Sequence, residues 1–327
     1  MSLSVGIGLT NDCNLACAHC YRDTDQIHYL ALSDVSAVCD RLPVASVGLG
    51  TGENALHPEF TQIVALLHAR GIKLSMASNG YSLTTMPREC LLCFHDVEVS
   101  VDFATEAQQD QFRGQGNWRL VHEAIERCHH LGIPVSMLTT MMSSNYEQMD
   151  SLAKLAQSRE INFRFNVYQP IHTKQFMLTY DQFWEGFRRA FGAARLLSCT
   201  EPVIRAVLGL YPVYSPCGHE SIRITPAGRV APCVYWPNSP LALDDLNSRG
   251  EGILQTKLFV QAREVPPAAA ECACQGGCAS RRALLGDLNS HDHYCPWVRD
   301  DTLTLDVDWA PHKDMTRARN YCTTIMT

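Results

Sequence analysis

The chain has 327 residues, which is enough for about two domains of ordinary size. Its 46% hydrophobic and 19% charged residues are typical of a globular protein and exclude a disordered or fibrous one. With 27 Lys and Arg against 34 Asp and Glu, the formal net charge is −7, which disfavours nonspecific binding to nucleic acid or to an anionic membrane.

The amino terminus lacks the basic start and apolar centre of an export signal. No apolar run anywhere approaches the ~20 residues of a membrane span. We therefore expect a cytoplasmic protein that binds no membrane. Because cytosolic reductants keep structural disulfides rare, the 15 cysteines are expected to be thiols or ligands of metals or clusters.

From Ser4 to Gln169, short runs of apolar and β-branched residues alternate with helical patterns, which predicts βα units and a parallel sheet. The predicted strands are Ser4–Leu9, Ser46–Gly50, Lys73–Ala77, Asp96–Val101, Pro134–Thr140 and Asn162–Tyr168. The predicted helices are Ser33–Leu42, Pro58–Arg70, Pro87–Phe94, Trp118–Leu131 and Tyr146–Arg159. Six such units make about three quarters of an eight-stranded barrel, with the loops after the strands on one rim. We therefore expect an α/β fold, a partial (β/α)6 TIM-like barrel.

Polar and cysteine-rich segments follow these strands where the rim is expected. Three cysteines follow the first strand, and small polar turns follow the second and third. The segments are Asn11–Tyr21, Gly50–Glu53, Ser78–Gly80, Ser100–Asp102, Thr140–Met141 and Asn166–Gln169. Their spacing predicts one shared pocket at the rim.

Cys13, Cys17 and Cys20 form a C-x3-C-x2-C pattern in one loop. Three thiolates so close together suit one face of a cubane iron–sulfur cluster, which leaves the fourth iron open. The alternatives are a zinc site completed by His19 and a loop of inert thiols.

This triad, followed by Tyr21, resembles the signature of the radical S-adenosylmethionine (SAM) superfamily. The resemblance implies that Cys13, Cys17 and Cys20 bind three irons of a [4Fe–4S] cluster whose fourth iron binds SAM. It also implies a one-electron donor such as flavodoxin or ferredoxin, reductive cleavage of SAM, and a 5′-deoxyadenosyl radical that takes a hydrogen atom from the substrate.

The resemblance extends to the predicted SAM contacts. Gly50, Thr51, Gly52 and Glu53 stand where the family has a glycine–glycine–glutamate motif that contacts the SAM amino group, and the threonine is a departure. By the same resemblance, Ser100 and Arg113 are SAM contacts, since a hydroxyl suits a ribose and a guanidinium suits a carboxylate. Asn79 is a further candidate for this pocket. The alternatives are a surface salt bridge for Arg113 and a simple turn at Asn79-Gly80.

After Gln169 the alternation stops. Thr179 and Gln182 form a capping-box pattern that opens an amphipathic helix to about Leu197, predicted to bridge two domains with its aromatic residues in the core. Ser221–Thr225 and Arg229–Tyr235 then predict a hairpin.

A second cysteine set surrounds this hairpin: Cys217, Cys233, Cys272, Cys274, Cys278 and Cys295. It resembles the auxiliary-cluster extension called SPASM, or the shorter one called twitch, although Cys272 departs from the family spacing. Two cubanes held entirely by cysteine need more thiolates than these six. We therefore expect one auxiliary cluster, or two if His219, His291 or His293 contributes. A zinc ribbon is the alternative for the whole set.

The expected domains are a partial barrel at 1–178, a bridging helix region at 179–212, a small α+β auxiliary-cluster domain at 213–300, and a tail at 301–327. The tail, with Arg317, Arg319 and Cys322, contains no motif. Cys39, Cys90, Cys93 and Cys128 lie in apolar helical patterns and are expected in the core.

The resemblance favours a radical SAM enzyme that crosslinks, epimerises or oxidises a ribosomally made peptide. One alternative is a dehydrogenase or epimerase of a small metabolite, and another is a scaffold that holds zinc or iron–sulfur without turnover. Because the chain begins directly at strand one, we expect no amino-terminal leader-binding domain, so that a peptide substrate requires a separate leader-peptide-binding protein. Catalytic acid and base residues remain unassigned, with Tyr21, Tyr168, Asp102 and Cys272 as candidates by position alone.

Overall fold

The computed structural model describes residues 2–210, 217–310 and 322–327. Their strands join into a single sheet. The strands are β1 (Leu3–Gly8), β2 (Val44–Gly50), β3 (Lys73–Ser78), β4 (Asp96–Ser100), β5 (Val135–Met141), β6 (Asn162–Val167), β7 (Leu196–Cys199), β8 (Ser221–Ile224), β9 (Val230–Ala231) and β10 (Thr324–Met326).

The α-helices of the described residues lie between these strands. They are α1 (Leu32–Arg41), α2 (Phe60–Ala69), α3 (Tyr81–Thr85), α4 (Arg88–Leu91), α5 (Glu106–Arg113), α6 (Asn117–His130), α7 (Met149–Ser158), α8 (Tyr180–Ala193), α9 (Pro202–Val207), α10 (Leu243–Arg249), α11 (Lys257–Arg263) and α12 (Ala279–Leu284). Short 3-10 helices cover Asn54–Leu56, Tyr146–Gln148, Gly250–Gln255, Pro267–Ala269 and Pro296–Arg299. None of these helices combines the length and apolar character needed to cross a bilayer.

The sheet confirms the predicted α/β fold. Strands β1 to β6 are parallel and adjacent in chain order, as six βα units require. Every residue of β1 is buried, because other elements cover both faces of this strand. In β5, buried residues alternate with half-buried ones, as expected of a strand whose two faces differ in exposure. The carboxyl ends of the six strands therefore share one rim, which positions the loops described below.

Both edges of the sheet extend beyond the predicted barrel. β8 pairs in parallel with β1, so the hairpin continues the main sheet. Its second strand is only Val230–Ala231, shorter than the predicted Arg229–Tyr235, because Pro232 follows and has no N–H to donate to the ladder. At the other edge, β10 pairs antiparallel with both β6 and β7. The sequence indicated neither of these pairings.

The predicted capping box opens α8: the Thr179 hydroxyl accepts from the Gln182 backbone N–H, and the Gln182 side chain accepts from the Thr179 N–H. The helix ends at Ala193, before the predicted Leu197, because β7 begins at Leu196. Its aromatic residues are buried, as predicted, and Phe183 stacks on Tyr294 with 4.1 Å between ring centres.

Cys90 and Cys128 are buried, while Cys39 and Cys93 are partly buried against the core, which confirms their packing role. The core is continuous from the barrel strands to Phe259 and Tyr294.

The structure differs from the predicted helices in two respects. The predicted helix Pro87–Phe94 is shorter and covers only α4, and α3 and α5 are helices that the sequence did not predict. Arg317 and Arg319 lie outside the described residues, as do parts of the expected segments 179–212, 213–300 and 301–327.

Candidate functional site

The loop after β1 carries Cys13, Cys17 and Cys20 and is held by its own side chains. Arg22 donates to the carbonyls of Asn11 and Leu15 at 2.9 and 2.8 Å. The Asn11 amide donates to two further carbonyls of the loop and accepts from the N–H of His28. The three thiols therefore occupy an ordered loop at the rim.

Burial is the main electrostatic influence on these thiols. It raises the pKa of Cys13, and it raises the pKa of Cys17 to about 11. Both groups therefore hold their protons at neutral pH, and a metal ion that binds them must displace those protons. All three side chains are partly accessible. Three soft sulfur donors in one loop fit iron–sulfur or zinc chemistry.

The turn after β2 presses against the cysteine loop. Gly52 has φ +64°, and a Cβ placed there would lie 2.4 Å from the carbonyl oxygen of Asp12 and 2.5 Å from that of Thr10. Only glycine fits such an approach. Glu53 donates its N–H to the same Asp12 carbonyl at 2.7 Å.

Thr51, the departure from the family motif, has φ +69°. This left-handed conformation is the one that a glycine adopts without strain. The Thr51 hydroxyl lies 3.0 Å from the Tyr21 hydroxyl, so the side chain links this turn to the residue after the triad. At Gly50, a Cβ would meet the Tyr21 hydroxyl at 4.0 Å, an ordinary contact.

The Glu53 carboxylate is buried and accepts three hydrogen bonds from the protein. The donors are the Ser78 hydroxyl at 2.6 Å and the backbone N–H groups of Asn79 and Ser82 at 2.9 Å each. Glu53 thus fixes the loop after β3 against the turn after β2. Its predicted contact with a SAM amino group stays a prediction.

Asn79 lies beside the cysteine loop. Its amide donates to the Asn14 side chain at 2.9 Å and lies 3.6 Å from the Cys13 sulfur. Its side-chain oxygen accepts from the N–H of Tyr81, the turn-like contact that the sequence also suggested. The turn-like contact is therefore present, and the predicted role of Asn79 in the SAM pocket stays a prediction.

Arg113 is paired with a buried carboxylate. Its Nε and Nη2 lie 2.8 and 2.7 Å from one oxygen of Asp102, whose other oxygen accepts from the Thr140 N–H at 2.9 Å. Burial works to lower the pKa of Arg113, but the charge of Asp102 outweighs it and the pKa is raised. Arg113 therefore forms a salt bridge, as the alternative interpretation predicted. The pair is buried, however, and does not lie on the surface. Cys17 contacts the Arg113 carbonyl, which places the pair beside the triad.

Ser100 is half-buried at the end of β4, where its carbonyl accepts from the Gln109 side chain at 3.2 Å. The SAM contacts predicted for Ser100 and Arg113 stay predictions.

An apolar wall that the sequence did not indicate borders the triad. The His19 ring packs on Phe112 with 4.9 Å between ring centres, and Phe112 packs edge-on against Phe176. Burial lowers the pKa of His19 to about 4, so the ring is neutral at physiological pH. The Tyr168 hydroxyl, near this wall, donates to the Thr173 carbonyl. These rings give one side of the rim an apolar lining.

In the carboxyl-terminal part of the chain, Cys272, Cys274 and Cys295 come together. The Cys272 sulfur lies 3.2 Å from each of the other two, which are 2.8 Å apart. A hydrogen bond from Cys274 is the main cause that lowers the pKa of Cys295 to about 7. Among the described residues, this is the one group of three or more possible ligand atoms that all lie within 4.8 Å of one another. The residue that departed from the family spacing, Cys272, is therefore part of a compact thiol trio.

The other predicted ligands, Cys217, Cys233 and Cys278, do not belong to that trio. Cys217 is hydrogen-bonded to Cys233, whose sulfur lies 3.5 Å from the Ser280 hydroxyl. The same hydroxyl lies 3.3 Å from the Cys278 sulfur. The second cysteine set is thus divided between two places. Both consist of buried or partly buried sulfur donors, which fit iron–sulfur or zinc chemistry.

Comparison with known proteins adds to this geometry. Residues 7–156 match the family model described as the radical SAM superfamily. Mycofactocin maturase MftC of Mycolicibacterium smegmatis is 26% identical over 325 residues, covering 88% of this chain and 81% of the relative. The antilisterial bacteriocin subtilosin biosynthesis protein AlbA of Bacillus subtilis is 22% identical, covering 93% and 72%. GTP 3′,8-cyclase of a Cyanothece species is 24% identical, covering 70% and 80%.

Among solved structures, native anSMEcpe with bound AdoMet and the Kp18Cys peptide superposes with a TM-score of 0.71 at 15% identity. The superposition covers 92% of this chain and 96% of that one, and it shows that the two share a fold. The matching family model, the parallel sheet and the cysteine triad at the rim all indicate the same family. Residues 7–156 are therefore a radical SAM domain.

Proposed function

We propose that this protein is a radical SAM enzyme that modifies a ribosomally synthesised peptide. The observation that carries the proposal is the ordered loop of three partly accessible cysteines at the carboxyl end of β1, within a domain that matches the radical SAM family model. The scaffold alternative gives no reason for thiols grouped at the rim beside a buried ion pair and an aromatic wall.

In this proposal Cys13, Cys17 and Cys20 hold a [4Fe–4S] cluster, and the turn Gly50–Glu53 with Asn79, Ser100 and Arg113 forms the SAM pocket. Bound there, the reduced cluster and SAM would supply the radical chemistry that removes a hydrogen atom from the substrate. The chain itself binds and orients these groups, while the rings of His19, Phe112 and Phe176 keep water away from them.

The Asp102 and Arg113 pair has a positioning role in this proposal. Asp102 is fully buried and ties Arg113, from the end of α5, to the start of the loop after β4. Because the Arg113 carbonyl contacts Cys17, the pair holds the triad loop against the barrel rim. This arrangement preorganises the site before SAM binds.

A peptide is the substrate that the relatives favour. The names of MftC and AlbA are those of a maturase and of a bacteriocin biosynthesis protein, and the anSMEcpe structure contains both AdoMet and a peptide. A small-molecule reaction is the second candidate, because GTP 3′,8-cyclase also aligns over 70% of this chain. The proposed modification of the peptide is a crosslink, an epimerisation or an oxidation.

The proposed partners follow from the same chemistry. A one-electron donor such as flavodoxin or ferredoxin reduces the cluster, and a separate leader-peptide-binding protein presents the peptide. We place the reaction in the cytoplasm, where such reductants operate. One or two auxiliary iron–sulfur clusters in the second cysteine set complete the proposed cofactors, with a barrel domain at 1–178 and an auxiliary domain at 213–300.

The first experiment measures 5′-deoxyadenosine release from SAM by the anaerobically reconstituted protein with dithionite. Alanine at Cys13, Cys17 or Cys20 should abolish release, whereas the buried Cys128→Ala should retain it. Release that persists in the triad variants would overturn the proposal. Mass spectrometry in D₂O, where even an epimerised residue gains mass, of a precursor peptide encoded beside the gene and of GTP as a small-molecule probe then separates the two substrate classes.

A further inference from the structure

Cys322 lies in a segment that the sequence left without a motif, yet the fold holds it firmly. The next residue, Thr323, exchanges backbone and hydroxyl hydrogen bonds with Thr200 at 2.8 to 3.1 Å. β10 follows at once and pairs with both β6 and β7. The Cys322 sulfur is therefore positioned by the main sheet.

The Cys322 sulfur points toward the second cysteine set. It is hydrogen-bonded to Cys278, lies 3.1 Å from a carboxylate oxygen of Glu201, and lies 3.7 Å from the Thr200 carbonyl. This thiol comes from the end of the chain, 44 residues after Cys278. Its contact with Cys278 is thus made by the tertiary fold.

Four thiols form a connected set around one hydroxyl. Cys217 contacts Cys233, and Ser280 contacts both Cys233 and Cys278, which in turn contacts Cys322. Cys217, Cys278 and Ser280 are each less than 5% exposed. Several buried sulfurs that meet at one place have a chemical use when they ligate a metal centre.

A buried cation lies beside these thiols and is itself paired with two carboxylates. Arg281 is 1% exposed and forms ion pairs with Glu201 at 3.0 Å and Asp292 at 2.9 Å. The charge of Arg281 favours the thiolate of Cys278 and that of Arg223 favours the thiolate of Cys233, whereas Asp292 and Glu201 oppose negative charge on Cys278 and Cys322. A metal centre bound at the four thiols would supply the further positive charge that their deprotonation needs.

The spacing of the four thiols does not match the compact ligand set of a single tetrahedral ion. Tetrahedral zinc with bonds of about 2.3 Å places its sulfurs roughly 3.8 Å apart. No three of these four thiols lie within 4.8 Å of one another, a condition that the described residues meet only at Cys272, Cys274 and Cys295. A cubane, which binds each thiolate at a separate iron, suits the wider set.

We propose that Cys217, Cys233, Cys278 and Cys322 hold one iron–sulfur cluster, separate from the trio Cys272, Cys274 and Cys295, and that Cys322 is the ligand contributed by the carboxyl-terminal segment. The site does not depend on cleavage of SAM. Its test is therefore made in a Cys13→Ala, Cys17→Ala, Cys20→Ala background, so that failure of the proposed function and failure of this site are distinguishable.

The test compares Cys322→Ala with Cys199→Ala in that background, using full-length protein reconstituted anaerobically. Cys199 is a matched control because it is buried in β7 and its sulfur lies 3.3 Å from the Thr324 hydroxyl of the same terminal segment. Iron, sulfide and zinc are counted per chain, and Mössbauer and EPR spectra are recorded. Cys322→Ala should lose up to about four irons or change one cluster signal, and Cys199→Ala should change neither.

Unchanged iron and spectra in Cys322→Ala would overturn the proposal, as would zinc in place of iron in the parent background. If Cys322→Ala does not fold, Cys322→Ser provides the decision, because an oxygen ligand in place of sulfur must alter the EPR signal and reduction potential of the cluster it binds. A serine variant with the parent signal and potential would exclude Cys322 as a ligand.

Discussion

Gly52→Ala tests how closely the turn after β2 approaches the cysteine loop, and Gly71→Ala is its matched control. Both glycines have a left-handed backbone, with φ of +64° and +70°. At Gly52 an added Cβ meets two backbone carbonyl oxygens at 2.4 and 2.5 Å, whereas at Gly71 it meets nothing within 4 Å. Comparison of the two variants therefore separates the energetic cost of steric contact from the cost of backbone strain.

The expected loss of folding stability is the sum of these two costs. Left-handed strain costs about 1–2 kcal/mol at either position. The clash at Gly52 adds about 1–3 kcal/mol, since backbone atoms must move. For a chain of this length, each kcal/mol lowers Tm by roughly 1.5 °C. Gly71→Ala should thus lower Tm by about 2–3 °C, and Gly52→Ala by about 3–8 °C.

The assay is anaerobic thermal unfolding followed by circular dichroism, with iron bound per chain as a second readout. Because Glu53 donates its N–H to Asp12 beside the triad, displacement of the turn should also reduce iron at the first site in Gly52→Ala alone. Equal Tm shifts and equal iron contents in the two variants would refute the close approach.

Three further predictions concern single side chains. Asp102→Asn should destabilise the protein by about 3–5 kcal/mol because it leaves a buried guanidinium unpaired, whereas Glu123→Gln, which breaks an exposed pair, should leave Tm unchanged; equal shifts would contradict the buried pair. Thr51→Gly should be more stable than Thr51→Ala by about 1 kcal/mol, since both lose the hydroxyl contact and only glycine relieves the strain; the reverse order in Tm would contradict it. Burial lowers the pKa of His57 in the folded protein. As the pH falls below about 6.5, His57 is therefore protonated more readily in the unfolded chain than in the folded protein, and the folded protein loses stability. The drop in Tm between pH 7.5 and 5.5 should therefore be smaller in His57→Gln than in wild type or in the exposed His68→Gln, and identical drops would exclude His57 as a source.

The six barrel strands could be predicted because each one is a local run of apolar and β-branched residues between turns. The triad could be predicted because its three cysteines lie within one loop. By contrast, β10 has three residues, and its partners in β6 lie about 160 positions earlier, a pairing with no local pattern. Helix α3, with the sequence YSLTT, is poor in strong helix formers and depends on its packing.

The second cysteine set shows the same division. The sequence predicted that Cys217 and Cys233 lie at one hairpin, because the strands that position them are neighbours in the chain. Spacing could not assign Cys272, whose place in the trio depends on how the loop around Gly276 and Gly277 folds. At Gly277, a Cβ would lie 2.4 Å from the Asp292 side chain, so the turn can form only with glycine. Such close approaches between distant residues are invisible in a spacing pattern.

The pairing of β8 with β1 connects the two cysteine regions physically. Ser4 to Ile7 of β1 align with Ser221 to Ile224 of β8, so the loop after β1 and the hairpin after β8 emerge from neighbouring strands. Tyr21, directly after the triad, packs edge-on against Tyr235, two residues after Cys233, with 5.3 Å between ring centres. Because parallel pairing fixes the register of both strands, a shift of the hairpin along β1 would displace Cys233 from Ser280 and Tyr235 from Tyr21 together. The geometry of the first cysteine loop is therefore tied to that of the second set through one strand pair and one aromatic contact.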